Sequence, residues 1–115
     1  MVTIEDVRAI TLDLPRAYEA VVNDRVKFRV GKIVFAALSR DETQIGFGFP
    51  KEEREALVEM DPVRYFMPGA SDLRYNWVCA RMAELDRDLL RDHLLEAWEM
   101  CVPKFVARDY HAGVS

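Results

Sequence analysis

Several things the chain has little of narrow what it can be. Among its 115 residues there are only two cysteines and two histidines, and no apolar run approaches the ~20 residues that a membrane helix requires. Secreted domains of this size that depend on disulfides carry more cysteines at framework spacings, so Cys79 and Cys101 read as free, partly buried thiols. His93 and His111 stand too far apart for an H-x-x-x-H or a Cys/His ligand set, which leaves no expected metal site. There is no G-x-G-x-x-G, no P-loop and no nucleophile elbow, and Gly46-Phe47-Gly48 lacks the third glycine of a dinucleotide fingerprint. Ser39, Ser71 and Cys79 have no companion base that the sequence places nearby. The carboxylates at Glu52, Glu53 and Glu55 and at Asp86, Asp88 and Asp92 follow the solvent face of helices. The expectation is a non-enzymatic protein without cofactor. Met1-Val2-Thr3-Ile4-Glu5-Asp6 is acidic and amphipathic at once, without the basic and apolar regions of a secretion signal, so a cytoplasmic location is expected.

What is present is apolar residue, half of the total, spread from Val2 to Val106 with no Pro/Gly/Ser-rich linker and no internal repeat. One domain is expected over residues 1–105, with 106–115 as a flexible tail. Thr3 reads as the N-cap of a helix whose apolar positions are Ile4, Val7, Ile10 and Leu14, ending at Pro15. Tyr18 to Val22 reads as a short strand closed by the turn pair Asn23-Asp24. Arg25 to Val30 alternates strictly, Gly31-Lys32 suits a two-residue type II′ turn, and Ile33–Leu38 and Gln44–Phe49 complete a three-stranded meander. A plain hairpin register pairs Val30 with Ile33, Phe28 with Phe35 and Val26 with Ala37. These six would then share the core face with Ile45, Phe47 and Phe49, provided Leu38 stands opposite Gln44. Pro50 opens a second helix with Ala56, Leu57 and Met60 as its stripe, and Val63–Asn76 reads as an irregular connection. Trp77–Met82 fits another strand, and Asp86–Cys101 a closing helix with Leu90, Leu94, Ala97, Trp98 and Cys101 on one stripe. The class is α+β, an antiparallel sheet with helices packed on one face.

The net charge of −4 conceals a division. Residues 25–40 hold five cations and no acid, whereas the segments read as helical are strongly acidic. Alternation puts Arg25, Lys27 and Arg29 on the face away from the core, beside Val34, Ala36 and Leu38 and then Gln44, Gly46 and Gly48. Such a basic edge with a floor of small side chains suits a phosphate backbone. Arg64, Arg74 and Arg81, mixed with Tyr65, Phe66, Tyr75 and Trp77, can add charge and stacking surface. The same alternation is also what a solvated strand face looks like, and edge charges also deter aggregation. Glycine in a strand also marks a bulge or a close backbone contact.

The order and spacing of four strings, Phe28-Arg29-Val30-Gly31-Lys32-Ile33-Val34-Phe35-Ala36, Pro50-Lys51-Glu52-Glu53-Arg54-Glu55-Ala56-Leu57, Trp77-Val78 and Leu94-Leu95-Glu96-Ala97-Trp98, resemble the MmcQ/YjbR family of small bacterial proteins. The resemblance spans nearly the whole chain. It departs from the family at Arg16, where glycine is frequent, and at Trp98, where tyrosine is common. Membership implies a two-layer, CyaY-like α+β fold and carries the family's description as DNA-binding, which rests on fold analogy. Frataxin-like relatives of that fold bind iron through an acidic helix, of which the first helix here offers only Glu5, Asp6 and Asp13.

The leading expectation is a sequence-tolerant DNA-binding domain that contacts phosphates through Arg25, Lys27 and Arg29, with Lys32 and Arg40 at the turns and Arg74 and Trp77 on the neighbouring loop. A protein-interaction or homodimerisation module is the alternative, and a small-molecule pocket between the long loop and the sheet is a third. Neither a membrane nor a metal is an expected partner.

Overall fold

The computed structural model describes residues 1–113. Helix α1, Ile4–Thr11, leads into strands β1, Ala17–Val22; β2, Arg25–Val30; β3, Ile33–Leu38; and β4, Gln44–Gly48. Helix α2, Lys51–Met60, follows, then β5, Tyr65–Phe66; β6, Trp77–Arg81; α3, Arg87–Glu99; and α4, Lys104–Gly113. The strands form one antiparallel sheet in the order β1-β2-β3-β4-β6-β5. The fold is thus α+β, as expected.

Local chemistry explains the corners. The Asp6 carboxylate accepts the Thr3 N–H at 2.9 Å, which closes the N-terminus of α1. Asn23 and Asp24 both have positive φ, 52° and 62°, the pair of left-handed residues that a type I′ hairpin needs between the partners Val22 and Arg25. Gly31 alone is left-handed in the next hairpin, with φ 59°, and Val30 pairs with Ile33 as the two-residue turn requires.

Beyond that first pair the expected register fails. A bulge places Phe28 opposite Ala36 and Lys27 opposite Ala37, so Phe35 is an extra residue on β3. The run Ile33–Leu38 is apolar at every position, so it holds no alternation by which register is set. The bulge lets Phe35 and Leu38, which are of opposite parity, both be fully buried. Three assignments change with it. Ala36 and Leu38 belong to the core, Ala37 turns to the outer face, and Ile33 is left half exposed. Leu38 accordingly pairs with Ile45 and not with Gln44.

The helix-side layer unites Phe28, Phe35, Leu38, Ile45, Phe47 and Val78 of the sheet with Val7 and Ile10 of α1 and Leu90, Leu94 and Trp98 of α3. Each large side chain withdrawn from water there contributes roughly 1.5–3 kcal/mol. The stripe of α2 also differs from expectation: Met60 is exposed, while Leu57 and Val58 pack on the core and Arg54 is buried. The stretch Val63–Asn76 is less irregular than its composition suggests, since Tyr65 and Phe66 pair with Ala80 and Cys79 as an edge strand.

Helix α4 runs from Lys104 to Gly113 and so takes in most of the expected tail, 106–115, of which Val114 and Ser115 lie outside the described residues. Val106 is buried, and the Tyr110 ring meets Trp98 edge-on at 5.2 Å between centroids. Trp98 in turn donates its indole N–H to the Pro15 carbonyl at 2.8 Å, tying α3 to the start of β1.

Candidate nucleic-acid interface

Because the helices cover one side of the sheet, the other side stays open. One row of partners crosses it through all six strands: Ala20, Lys27, Ala37, Gly46, Cys79 and Phe66. The floor of this trough is small, but its members differ from those expected, with Ala37 replacing Ala36 and Leu38. Gly48 stands where the floor meets α3. A Cβ there would stand 3.4 Å from the Ala97 Cβ, so glycine at this position lets the C-terminal part of α3 approach β4.

Arg25, Lys27 and Arg29 occupy successive outward positions on β2, each half-buried. None of them is in an ion pair, nor are Lys32 and Arg40, among the described residues. Arg25 donates Nε–H to the Leu38 carbonyl at 3.1 Å and Arg40 to the Asn23 carbonyl at 3.4 Å, while the side chains of Lys27 and Lys32 make no hydrogen bond with the described residues. The Arg29 Nε is buried without a partner. On the helix side the cations are engaged differently: Arg8 bridges Glu5 and Glu19, and Arg87 meets Asp6 at 2.7 Å. Two of the three acids on the first helical segment are therefore already neutralised by neighbours. No group of three or more His, Cys, Asp or Glu among the described residues is placed to hold a metal ion.

A cleft of about 580 Å³ lies along the open face. Arg25, Lys27 and Lys32 line one bank and Asp72, Tyr75, Asn76 and Trp77 the other; Val34 and Ala37 lie between them, and the cleft reaches past Ile33, Phe35 and Gly48 to Ala97, Met100 and Cys101 at the C-terminal end of α3. Trp77 lies across Gly46: its Cε2 and Cζ2 are 2.8 and 2.9 Å from where a Cβ at position 46 would stand, with Nε1 nearer still. The second bank is held by a residue whose importance the sequence did not betray. Buried Arg54 of α2 donates to the carbonyls of Tyr75 at 2.9 Å and Trp77 at 3.1 Å, and also to that of Leu73. One guanidinium with five donors thus pins three alternate carbonyls of an exposed segment. An arginine at helical spacing beside four glutamates looks like surface, so only the run of carbonyls it meets marks it out.

The cleft gathers Arg25, Lys27, Lys32 and Trp77 from the expected set, with Arg29 farther along the same strand row. Arg40 shares a second, shallower depression with Arg25, Ser39, Asp41 and Gln44. Arg74 is not brought in. It stacks on Tyr75 at 4.8 Å and donates to its hydroxyl at 2.8 Å, and does not itself line the cleft. Of the supporting residues, Arg64 and Tyr65 also fall away from the open face. Arg64 pairs with Asp61 at 3.1 Å and donates to the Glu84 carbonyl at 2.8 Å. Tyr65 is buried, its hydroxyl 2.6 Å from the His93 Nε2. That imidazole stacks on Phe47 at 4.7 Å, and burial lowers its pKa below the usual histidine value. Arg81, by contrast, stays outward, lying over the Phe66 ring at 4.7 Å.

Burial first, with Asp72 adding to it and Arg25 opposing, pushes the Cys79 thiol up to about 11. At neutral pH it is therefore a protonated, small, neutral element of the trough floor, unsuited to act as a thiolate nucleophile.

An antiparallel sheet covered by helices on one face, with unpaired cations and an aromatic cleft on the other, defines a two-layer α+β protein with one open face. The YjbR family model matches residues 12–100, and the chain belongs to that family. The fold is similar to that in the crystal structure of Deinococcus radiodurans protein DR2400, domain DUF419, with a TM-score of 0.75 at 19% identity over 87% of this chain and 78% of that one. No curated protein sequence matches the chain. No helix among the described residues is long and apolar enough to cross a membrane.

Proposed function

We propose that the protein is a non-catalytic DNA-binding domain of the cytoplasm that grips phosphates with the open face of its sheet and has little sequence preference. The observation that carries this reading is the set of cations without acidic partners: Arg25, Lys27 and Arg29 on β2, with Lys32 and Arg40 at the turns beside it, are in no ion pair among the described residues. Cations that already neutralise carboxylates have little to gain from a phosphate, whereas these five release counterions from a polyanion. The acids concentrate on the opposite helices, so the field of the molecule orients the open face towards the ligand. Phosphate contacts carry no base information, so a grip made by such a row is sequence-tolerant.

Five phosphate contacts correspond to a slope of roughly −4 to −5 in log affinity against log salt on B-form DNA. A mobility-shift titration at two salt concentrations tests this. Binding is expected at low salt, with steep loss at physiological salt, and the Arg25→Ala/Lys27→Ala/Arg29→Ala triple variant is expected to lose most of both binding and slope. Equal binding by that variant, or no binding by the wild type at low salt, overturns the reading. If mass measurements instead reveal self-association that needs Trp77 or Val34, the open face is a protein interface.

A further inference from the structure

The cleft has more definition than a phosphate grip requires. Its two banks differ in chemistry, with Arg25, Lys27 and Lys32 opposite Trp77, Asn76 and the one acid of the lining, Asp72. They are separated by the strands carrying Ala37 and Gly46, so Lys27 and the indole over Gly46 stand about two strand spacings apart, roughly 10 Å. A lysine side chain together with one nucleotide spans that distance, the phosphate at the cationic bank and the base at the aromatic one. A volume of about 580 Å³ is within the range of small-molecule sites.

Base pairing decides between duplex and single strand. In a duplex the flat faces of the bases are stacked inside and only phosphates and groove edges reach the surface. An aromatic ring set down in a cleft then has nothing to stack upon. An unpaired nucleotide offers a free face, and base–aromatic stacking tolerates any sequence because every base has one. Trp77 is also prepared for such contact. Its own carbonyl is held by Arg54 at 3.1 Å, and the absence of a side chain at Gly46 gives the indole its seat, so little order has to be created on binding.

Resting on the nucleic-acid reading above, we infer that this cleft seats an unpaired nucleotide of a single-stranded nucleic acid, its base against Trp77 and its phosphate on Lys27 and Arg25. The small side chain of Ala37 beside the indole leaves room for the base, and the cationic row along β2 carries the strand onward.

Fluorescence anisotropy with an end-labelled 12-mer, offered as a single strand and as the matching duplex at low salt, tests the inference. The single strand is expected to bind at least tenfold more tightly. Trp77→Ala is expected to weaken single-strand binding by roughly five- to hundredfold and duplex binding by much less, whereas Trp77→Phe retains most of the single-strand affinity. Lys27→Ala weakens both. Should Trp77→Ala fail to fold, wild-type emission provides the same answer: the other tryptophan, Trp98, is fully buried, so quenching by an unlabelled single strand, but not by the duplex, reports Trp77. Equal affinity for the two forms, or indifference to Trp77 in both readouts, overturns the inference while leaving the phosphate reading intact. No binding of either form removes both. Competition by free mononucleotide as effective as that by the strand shows a soluble nucleotide to be the ligand and overturns the single-strand assignment.

Discussion

The Trp77 indole takes the place that a side chain at residue 46 would fill, with ring carbons at 2.8 and 2.9 Å from the hypothetical Cβ. The two residues are diagonal neighbours across β4 and β6, where Gly46 pairs with Cys79 and Trp77 with Gly48. Gly46→Ala is therefore expected to dislodge the ring. Because Trp77 is only half-buried, the ring can yield outward, and the loss of stability should stay below the ~1–3 kcal/mol of an overpacked core. Acrylamide quenching should rise as the indole enters water. Unchanged quenching means that the ring is not seated on Gly46.

Arg54 is expected to control the order of the aromatic bank. Arg54→Leu keeps an apolar stem on α2 but strands the carbonyls of Leu73, Tyr75 and Trp77. A stability loss of about 1–3 kcal/mol is expected in urea unfolding. Amide exchange should quicken selectively over residues 73–77, and Arg54→Lys should restore little, since an ammonium lacks the planar fork. Uniform exchange across the molecule would contradict the anchoring role.

The buried His93 predicts acid sensitivity. Burial lowers its folded pKa, with Arg64 assisting and Asp92 opposing, while the unfolded chain titrates near the ordinary value of about 6.5. Between those two values the unfolded state binds more protons, so stability rises with pH there and falls as pH drops below about 6.5, levelling off once the folded imidazole is itself protonated. Urea midpoints of the wild type and of His93→Phe, compared from pH 7.5 to 5, should converge as pH falls. A constant difference between them would show that His93 does not titrate across the range.

Arg16 stands with φ at 67°, in the left-handed region that costs a side-chain-bearing residue about 1–2 kcal/mol. The family's frequent glycine after Leu14-Pro15 has this physical reason. Arg16→Gly should gain stability, although the looser unfolded chain and the lost stacking on Phe105, at 5.8 Å, trim the gain to at most about 1 kcal/mol. Differential scanning calorimetry checks the sign, and a lowered melting temperature would show that Arg16 contributes more through Phe105 than it loses in strain.

Much of the fold was legible where chemistry is local. The left-handed pair Asn23-Asp24, the Gly31 turn and the strict alternation of Arg25 to Val30 placed the basic row on the outer face, and the stripe of α3 was readable from Leu90 to Trp98. Register in Ile33–Leu38 was not legible, because a run without alternation fits either parity and only the packing of Phe35 and Leu38 together selected the bulge. Nor was the helical nature of Lys104–Gly113 legible, since its anchors, Val106 and the contact of Tyr110 with Trp98, are tertiary.

The candidate site divides along the same line. Its cations and Trp77 could be named from the sequence, Arg25, Lys27 and Arg29 by strand periodicity and Lys32 and Arg40 by their places at the turns. Which cations lie around one cleft, that Arg64 and Tyr65 turn to the helix side, and that Arg54 holds the opposite bank are facts about residues far apart in the chain. The sequence by itself determined the element types and the charge division between sheet and helices, because periodicity and turn chemistry act over a few residues. Only the tertiary structure decided the floor of the trough and the seat of Trp77, because those depend on how strands with several admissible registers bury the most apolar surface together.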